Sequence, residues 1–382
     1  MKKSSLKLYF TLAAAIVSAS SYAGNKDRSG QAGATELLIN PWGASTGVFG
    51  LNTAHVRGME AMKNNIAGLS YVDGTEIGFS YGAYLKGSQV GINNLAFAQK
   101  LGSSGVIGIN LQSMSFGEID ATTIDMPDGG SGTYKPQFFN IQVGYAKSFS
   151  RAIHAGVGVT YVSEAISNIR ASGACFEAGV QYVTGSRDNF HFGVTLRNVG
   201  TNMRYSGEGF AINSEAPEDE TYVVNRLTPT DKFEMPTYLS IGASYDFFLD
   251  EKKVGESEQP KHRLTPMVAF TSNSFNNDYI GAGIEYSFRE MFMIRGAYRY
   301  EKDIASTENS TTFYTGISAG ATVNTRLGKA PGSPNLAIDY SFRPTHRPDN
   351  GVHMFSLRFL LHGKNSEARK QDIINDVNGT TN

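Results

Sequence analysis

The stretch Leu239-Ser240-Ile241-Gly242-Ala243-Ser244-Tyr245-Asp246-Phe247 decides the fold. Leu239, Ile241, Ala243, Tyr245 and Phe247 take every second position, with Ser240, Gly242, Ser244 and Asp246 between them. Successive side chains of an extended chain point to opposite faces, so this is a strand with one apolar and one polar face. The same period recurs in Ile141, Val143, Tyr145 and Phe149, in Val157, Val159 and Tyr161, in Phe176, Ala178, Val180 and Tyr182, and in Phe190, Phe192, Val194 and Leu196. It returns in Ile280, Ala282, Ile284, Tyr286 and Phe288, and in Leu336, Ile338, Tyr340 and Phe342.

Working outward gives strands near 76–85, 88–100, 104–119, 137–149, 153–166, 172–183 and 190–198, then 237–249, 262–272, 278–288, 291–300, 312–327, 335–342 and 352–362. These are fourteen, an even number. In lipid every backbone polar group must be paired, and only closure removes sheet edges, so the predicted fold is all-β: a fourteen-stranded antiparallel transmembrane β-barrel. A soluble sandwich alternates too, and alternation alone does not say which face meets lipid. Loop lengths decide. Links after even strands include 150–152, 184–189 and 289–290, whereas those after odd strands include 120–136, 199–236 and 301–311. Short periplasmic turns and long external loops are the expected asymmetry. The charged link 250–261 is the exception. Phe149, Phe190, Phe247, Phe288, Phe292 and Phe359 fall at one rim and Tyr161, Tyr300 and Phe342 at the other, as aromatic girdles do.

The 34 Lys+Arg balance 35 Asp+Glu, so no nucleic-acid partner is expected. No run after residue 30 approaches the ~18 apolar residues of a membrane helix. Lys2, Lys3 and Lys7, the apolar run Leu8 to Val17, and Ser21-Tyr22-Ala23 read as a cleavable export signal, residues 1–23. Cys175 is the only cysteine, which excludes an intrachain disulfide. Residues 363–382 read as a polar periplasmic tail after a barrel spanning 75–362.

Between signal and barrel, residues 24–74 do not alternate. The run QAGATELLINPWGASTGVFGLNTAHVRGMEAMKNNIAGLSY (31–71) carries apolar groups such as Leu37, Trp42, Phe49 and Leu51 that must bury against something. A barrel lumen supplies that surface, so the segment is expected to be a hatch that starts at the periplasmic rim and folds upward. Inward glycines at 78, 82, 144, 156, 158, 179, 193, 242, 281, 283, 316 and 320 leave room for it. Inward Glu177, Asp246, Glu285 and Asp339 face inward Arg197, Arg295, Arg299 and Arg358, which is expected to give ion pairs rather than a one-sign filter. The seven histidines show no metal-ligand or catalytic spacing, and no phosphate-binding glycine loop or cofactor motif is present, so no enzyme is expected. The link 199–236, with MRYSGEGF and the acidic Glu215, Glu218, Asp219 and Glu220, exceeds the ~12–15 residues beyond which loops tend to be functional or disordered.

The 31–71 run, together with LRNVGTNMRYSGEGF (196–210), resembles the PorV/PorQ family of outer-membrane barrels of the Bacteroidetes type IX secretion system. Asn65-Ile66-Ala67-Gly68-Leu69 resembles the Asn-Pro-Ala box of FadL-like barrels, with Ile66 where that box has proline. The resemblance implies a FadL-like barrel with an N-terminal hatch, whose motif residues would be Asn40, Pro41, Trp42, Asn65, Ala67, Gly68 and Leu69. It implies a non-enzymatic shuttle in the Gram-negative outer membrane. Such a shuttle takes the C-terminal signal domains of cargo at a SprA/Sov-type translocon and passes them to a PorU-type sortase complex. Its candidate docking loop would hold Met203, Arg204, Tyr205, Glu208 and Phe210, and its barrel would contact outer-membrane lipid. The alternative is a FadL-like transporter of hydrophobic small molecules; a surface lipid deacylase ranks last.

Overall fold

The computed structural model describes residues 26–215, 223–250, 261–328, 333–346 and 351–362. The export signal, the tail 363–382, the acidic Glu218 to Glu220 and most of the charged link 250–261 lie outside these. Fourteen long strands run β1 Gly74–Leu85, β2 Val90–Lys100, β3 Val106–Ser115, β4 Gln137–Ser148, β5 Ile153–Ile166, β6 Ile169–Thr184 and β7 Phe190–Gly200. They continue as β8 Tyr238–Tyr245, β9 His262–Asn273, β10 Tyr279–Phe288, β11 Phe292–Glu301, β12 Ile317–Arg326, β13 Asn335–Arg343 and β14 Val352–His362. Each pairs antiparallel with the next, and β14 pairs with β1 from Gly74↔His362 to Ala83↔His353. The sheet is therefore closed, with no free edge.

Burial is inverted relative to a soluble protein. Phe79, Phe97, Val157, Phe176, Ile294 and Phe355 stand exposed on the outside, while Ser80, Asn94, Asn110, Gln142, Thr160 and Asp339 are buried inside. Apolar groups face outward because the outer solvent is lipid, which answers the ambiguity that alternation left. The chain is an integral outer-membrane β-barrel.

Three strands are shorter than their alternation suggests, among them β8, which ends at Tyr245 while Phe247–Phe248 pairs separately with β9. β3 ends at Ser115. β12 starts at Ile317 because Gly316 (φ 88°) turns the chain and Phe313 and Tyr314 fold over the lumen instead, with Tyr314 bridging to Thr345. Between β6 and β7 the register shifts around Glu177, with Asn198 at φ 59°. Arg197 faces inward by the alternation and meets Glu177 at 2.8 Å, and the bulge places Asn198 inside as a second consecutive buried residue.

The lumen is filled by the hatch, a chain of short 3₁₀ turns and one helical turn, Gly43–Thr46. The expected direction is overturned. The described segment starts at the long-loop rim, where Ala32 bridges to Glu234 and Arg28 Nη2 meets Glu234 Oε1 at 2.6 Å. From there it descends through the lumen and enters β1 at the short-turn rim. The cause is apolar: Ala34 and Leu37 bury with Met203, Met235, Val162, Ala171 and Cys175 under the long loop. Strand parity fixes the side of a link, but it does not constrain a segment that threads the barrel.

Contact between hatch and wall is close enough to require glycine. A Cβ on Gly193 of β7 would lie 2.6 Å from Thr53 O, and one on Gly320 of β12 would lie 3.0 Å from Gly47 Cα. Both neighbours are backbone and cannot swing away. Gly193→Val is expected to lower barrel stability by about 1–3 kcal/mol through overpacking. Gly296→Ala, on the outer face with its nearest atom 3.7 Å away, should be nearly neutral. Denaturant midpoints of the lipid-refolded barrels check this, and equal midpoints for the two variants would refute it.

Candidate functional site: a hatch-floored cup at the long-loop rim

The hatch is fixed by side chains that satisfy backbone groups. Asn40 Oδ1 accepts the Trp42 N–H at 3.0 Å and its Nδ2 donates to Lys63 O, which joins the first motif box to the turn just before the second. Trp42 is fully buried and opens the Gly43–Thr46 turn, which packs on β12, β13 and β14. Asn65 accepts the Ala67 N–H at 3.2 Å and donates to Thr53 O at 3.0 Å and to Val180 O of β6 at 3.1 Å. One carboxamide thus caps the Ile66–Tyr71 turn, ties it to the earlier turn Leu51–Ala54 and pins both to the wall. Ala67 and Leu69 are buried, and a Cβ on Gly68 would meet Ala61 Cβ at 2.9 Å. The fold therefore brings the motif residues into one packed layer with Leu51, Met59, Met62 and Ile66. Pro41 is buried beside Trp42, and Asn40 alone of them is half-buried, at the edge of the layer.

This layer separates two cavities. The lower one, about 1040 Å³ at the short-turn rim, is lined by His55, His191, Asp246, Glu285, Arg295 and Arg358. Its charges are paired: Arg295 with Glu285 at 2.8 Å, Arg358 with Asp339 at 2.9 Å, and His191 with Asp246 at 3.1 Å. The expected ion pairs are present, but these lie within the wall; between wall and hatch Arg358 meets Glu60 at 3.8 Å. The fold also joins histidines to serines, which the sequence does not show: His55 Nδ1 to Ser244 at 2.9 Å and His154 Nδ1 to Ser70 at 2.9 Å. These are separate pairs. Burial lowers the His55 pKa to about 4, so the ring is neutral and structural. Among the described residues no group of three or more metal-ligating side chains converges.

The upper cavity, about 420 Å³, is a cup open at the long-loop rim and floored by Phe49, Gly50, Leu51, Lys63 and Asn64. Its wall carries Tyr84, Phe116, Phe138, Tyr238, Tyr279, Phe313 and Tyr314. Phe49 meets Tyr314 edge-on at 5.6 Å, Tyr314 stacks on Phe313 at 4.2 Å, and Phe116 meets Phe138 at 4.8 Å. Arg299 lies over Tyr279 at 4.6 Å and Arg343 over Tyr314 at 4.4 Å. Burial lowers Lys63 to about 8, assisted by the Arg197 charge. Burial and then the Glu164 charge raise Glu36, also in the cup wall, from 4.5 to about 8.

The loop residues divide. Met203 is buried and bridges to Phe233, and the Tyr205 hydroxyl donates to Glu164, so these two tie the loop down over the hatch. Arg204 and Glu208 are exposed and Phe210 is half-buried, so the outward face of the loop belongs to them.

Closed, polar inside, apolar outside and plugged, the molecule has the architecture of a fourteen-stranded outer-membrane barrel. No protein-family profile matches the chain, and no curated protein matches it either. Among solved structures it shares the fold of the toluene transporter TodX of P. putida, with a TM-score of 0.50 and 12% identity over 84% of this chain and 97% of that one. A Pseudomonas aeruginosa FadL homologue gives a TM-score of 0.48 and 12% identity over 83% of this chain and 97% of that one. The fold is thus that of TodX, a closed fourteen-stranded barrel.

Glu36 supplies a pH test. Its folded pKa lies above the unfolded one, so its stability contribution is complete below about 4.5 and is lost as pH rises toward about 8. Glu36→Gln removes this dependence. The variant should match the wild type near pH 4.5 and exceed it increasingly up to pH 8, as read from denaturant midpoints. A constant difference across that range would refute the buried neutral carboxyl.

Proposed function

We propose that this protein is an outer-membrane transporter that receives apolar or amphipathic small molecules in its long-loop cup, with the hatch as the movable closure beneath. The cup carries this reading: an aromatic-walled cavity of about 420 Å³ opens outward and stops at a packed hatch floor. Concave apolar sites with a few convergent polar groups are where small ligands bind. The structural neighbour TodX is described as a toluene transporter, which agrees with such a cargo. Cells making the protein should take up labelled naphthalene or 4-phenylbutyrate several-fold faster than cells lacking it. Equal uptake of both compounds would sink the proposal.

A second reading is favoured by the resemblance of 31–71 and 196–210 to the PorV/PorQ family and by the outward-facing Arg204 and Glu208. Here the barrel is a type IX secretion shuttle that binds cargo C-terminal signal domains and meets a SprA/Sov-type translocon and a PorU-type sortase. The hatch would keep the lumen sealed during docking. Affinity purification from envelopes should recover translocon and cargo, and deletion of residues 205–232 should reduce cargo recovery while the barrel still assembles. Recovery of neither partner would remove this reading.

A further inference from the structure

Glu36 and Glu164 bring two carboxyl groups together beneath the long loop. Glu36 stands in the hatch turn Thr35–Leu38, and Glu164 faces inward near the upper end of β5. They are 2% and 3% exposed, and their carboxyls lie within hydrogen-bonding reach of each other. Among the described residues the arginines of the lumen pair with other carboxylates, Arg197 with Glu177 and Arg358 with Asp339 and Glu60. Lys63 is the weakest of the influences on Glu36. Both Glu36 oxygens are buried without a hydrogen-bond partner. Ionised carboxylates only accept hydrogen bonds, so two in contact need a positive centre between them.

More oxygens gather here than a bridging proton can use. Gln112 of β3 and Asn140 of β4 are directly opposed, one inward row below the pair Phe138↔Glu164. Each is 1% exposed. Gln112 Nε2 donates to Glu36 O at 3.4 Å, which sets its carboxamide against the hatch turn, and its Oε1 has no partner. Neither end of the Asn140 carboxamide has one. The Tyr205 hydroxyl, donating to Glu164, adds a phenol oxygen from the long loop. Two carboxylates, two carboxamides and a phenol, with no imidazole or thiolate among them, are the donors of a hard cation. Calcium takes about six to eight such oxygens in a flexible shell, whereas magnesium demands a near-ideal octahedron and keeps its waters.

We infer that Glu36, Glu164, Gln112 and Asn140 form a calcium site that fastens the start of the hatch to the barrel wall, with Tyr205 closing it from the loop. The site does not depend on what the barrel carries. Glu36 lines the cup, which gives the ion its way in from the long-loop rim. Binding ties together three stretches far apart in sequence: the hatch turn, the wall at β5 and the loop at Tyr205.

Thermal midpoints and calorimetric titration of the purified full-length barrel in detergent, freed of metal with EDTA and read near pH 7.5, test the site. Millimolar calcium should raise the wild-type midpoint by several degrees, and the same magnesium concentration by less than half as much. Titration should show about one calcium per chain. Glu36→Gln and Glu164→Gln should each weaken that affinity about tenfold or more. The metal-free midpoint of Glu36→Gln should equal or exceed that of the wild type, since one of two facing carboxyls is gone, so its lost response is not a lost fold. Calcium held by exposed carboxylates elsewhere would bind both variants unchanged. No calcium-dependent rise in the wild type, or a rise and affinity that survive in both variants, overturns the site. A magnesium response as large as that to calcium overturns the calcium assignment.

Discussion

Everything in this molecule depends on one constraint: lipid offers no hydrogen bonds. A spanning strand must pair both edges, so the sheet closes through β14 and β1. Closure encloses a volume that the strands' own inward side chains, kept small and polar, do not fill. The hatch is the consequence. It is built from irregular backbone, which is tolerated at membrane depth only where protein surrounds it. Its free amides and carbonyls therefore have to find partners on the wall. Asn65 shows how this works, reaching Val180 O while capping its own turn, and Gln181 and Gln142 donate from the wall to hatch carbonyls in return.

The division between wall and hatch was readable where a period exists. Alternation locates a strand such as β8 because the lipid-facing row 239, 241, 243 and the luminal row 240, 242, 244 have different solvents. The glycines at 193 and 320 were readable as inward small positions, and they do meet the hatch. The hatch itself showed through a lack of period combined with too many apolar groups to leave in water. Its direction was not readable, because the contacts that fix it, Arg28 with Glu234 and Leu37 with the Met203 cluster, join residues far apart in sequence.

The cup was hidden for a related reason. Its lining comes from the hatch and from the long-loop ends of β1, β3, β4, β8, β9, β10, β11 and β13, and from the link before β12. No window of sequence contains it. Arg343 sits one position beyond the alternating run 335–342, where periodicity stops assigning a face, so the luminal charges that were legible are those in mid-strand. The mid-strand charges are paired within the wall, as Arg358 with Asp339 and Arg295 with Glu285 show. What distinguishes the cup is the rim, where the ladder ends and a cation is left facing rings.

The floor of the cup links ligand space to the seal. Phe49 takes a left-handed backbone, φ 53°, followed by Gly50 at φ 73°. A bulky residue in that region costs about 1–3 kcal/mol and persists only when its surroundings hold it. Tyr314 meets the Phe49 ring edge-on, and Arg299 and Arg343 lie over it at 5.1 and 5.5 Å. The same turn continues into Leu51–Ala54, which packs on β7, β8 and β9 and carries the Thr53 carbonyl that Asn65 binds. That turn belongs to the packed layer separating the two cavities, so the ring and guanidinium contacts that hold Phe49 in its strained backbone also hold the layer.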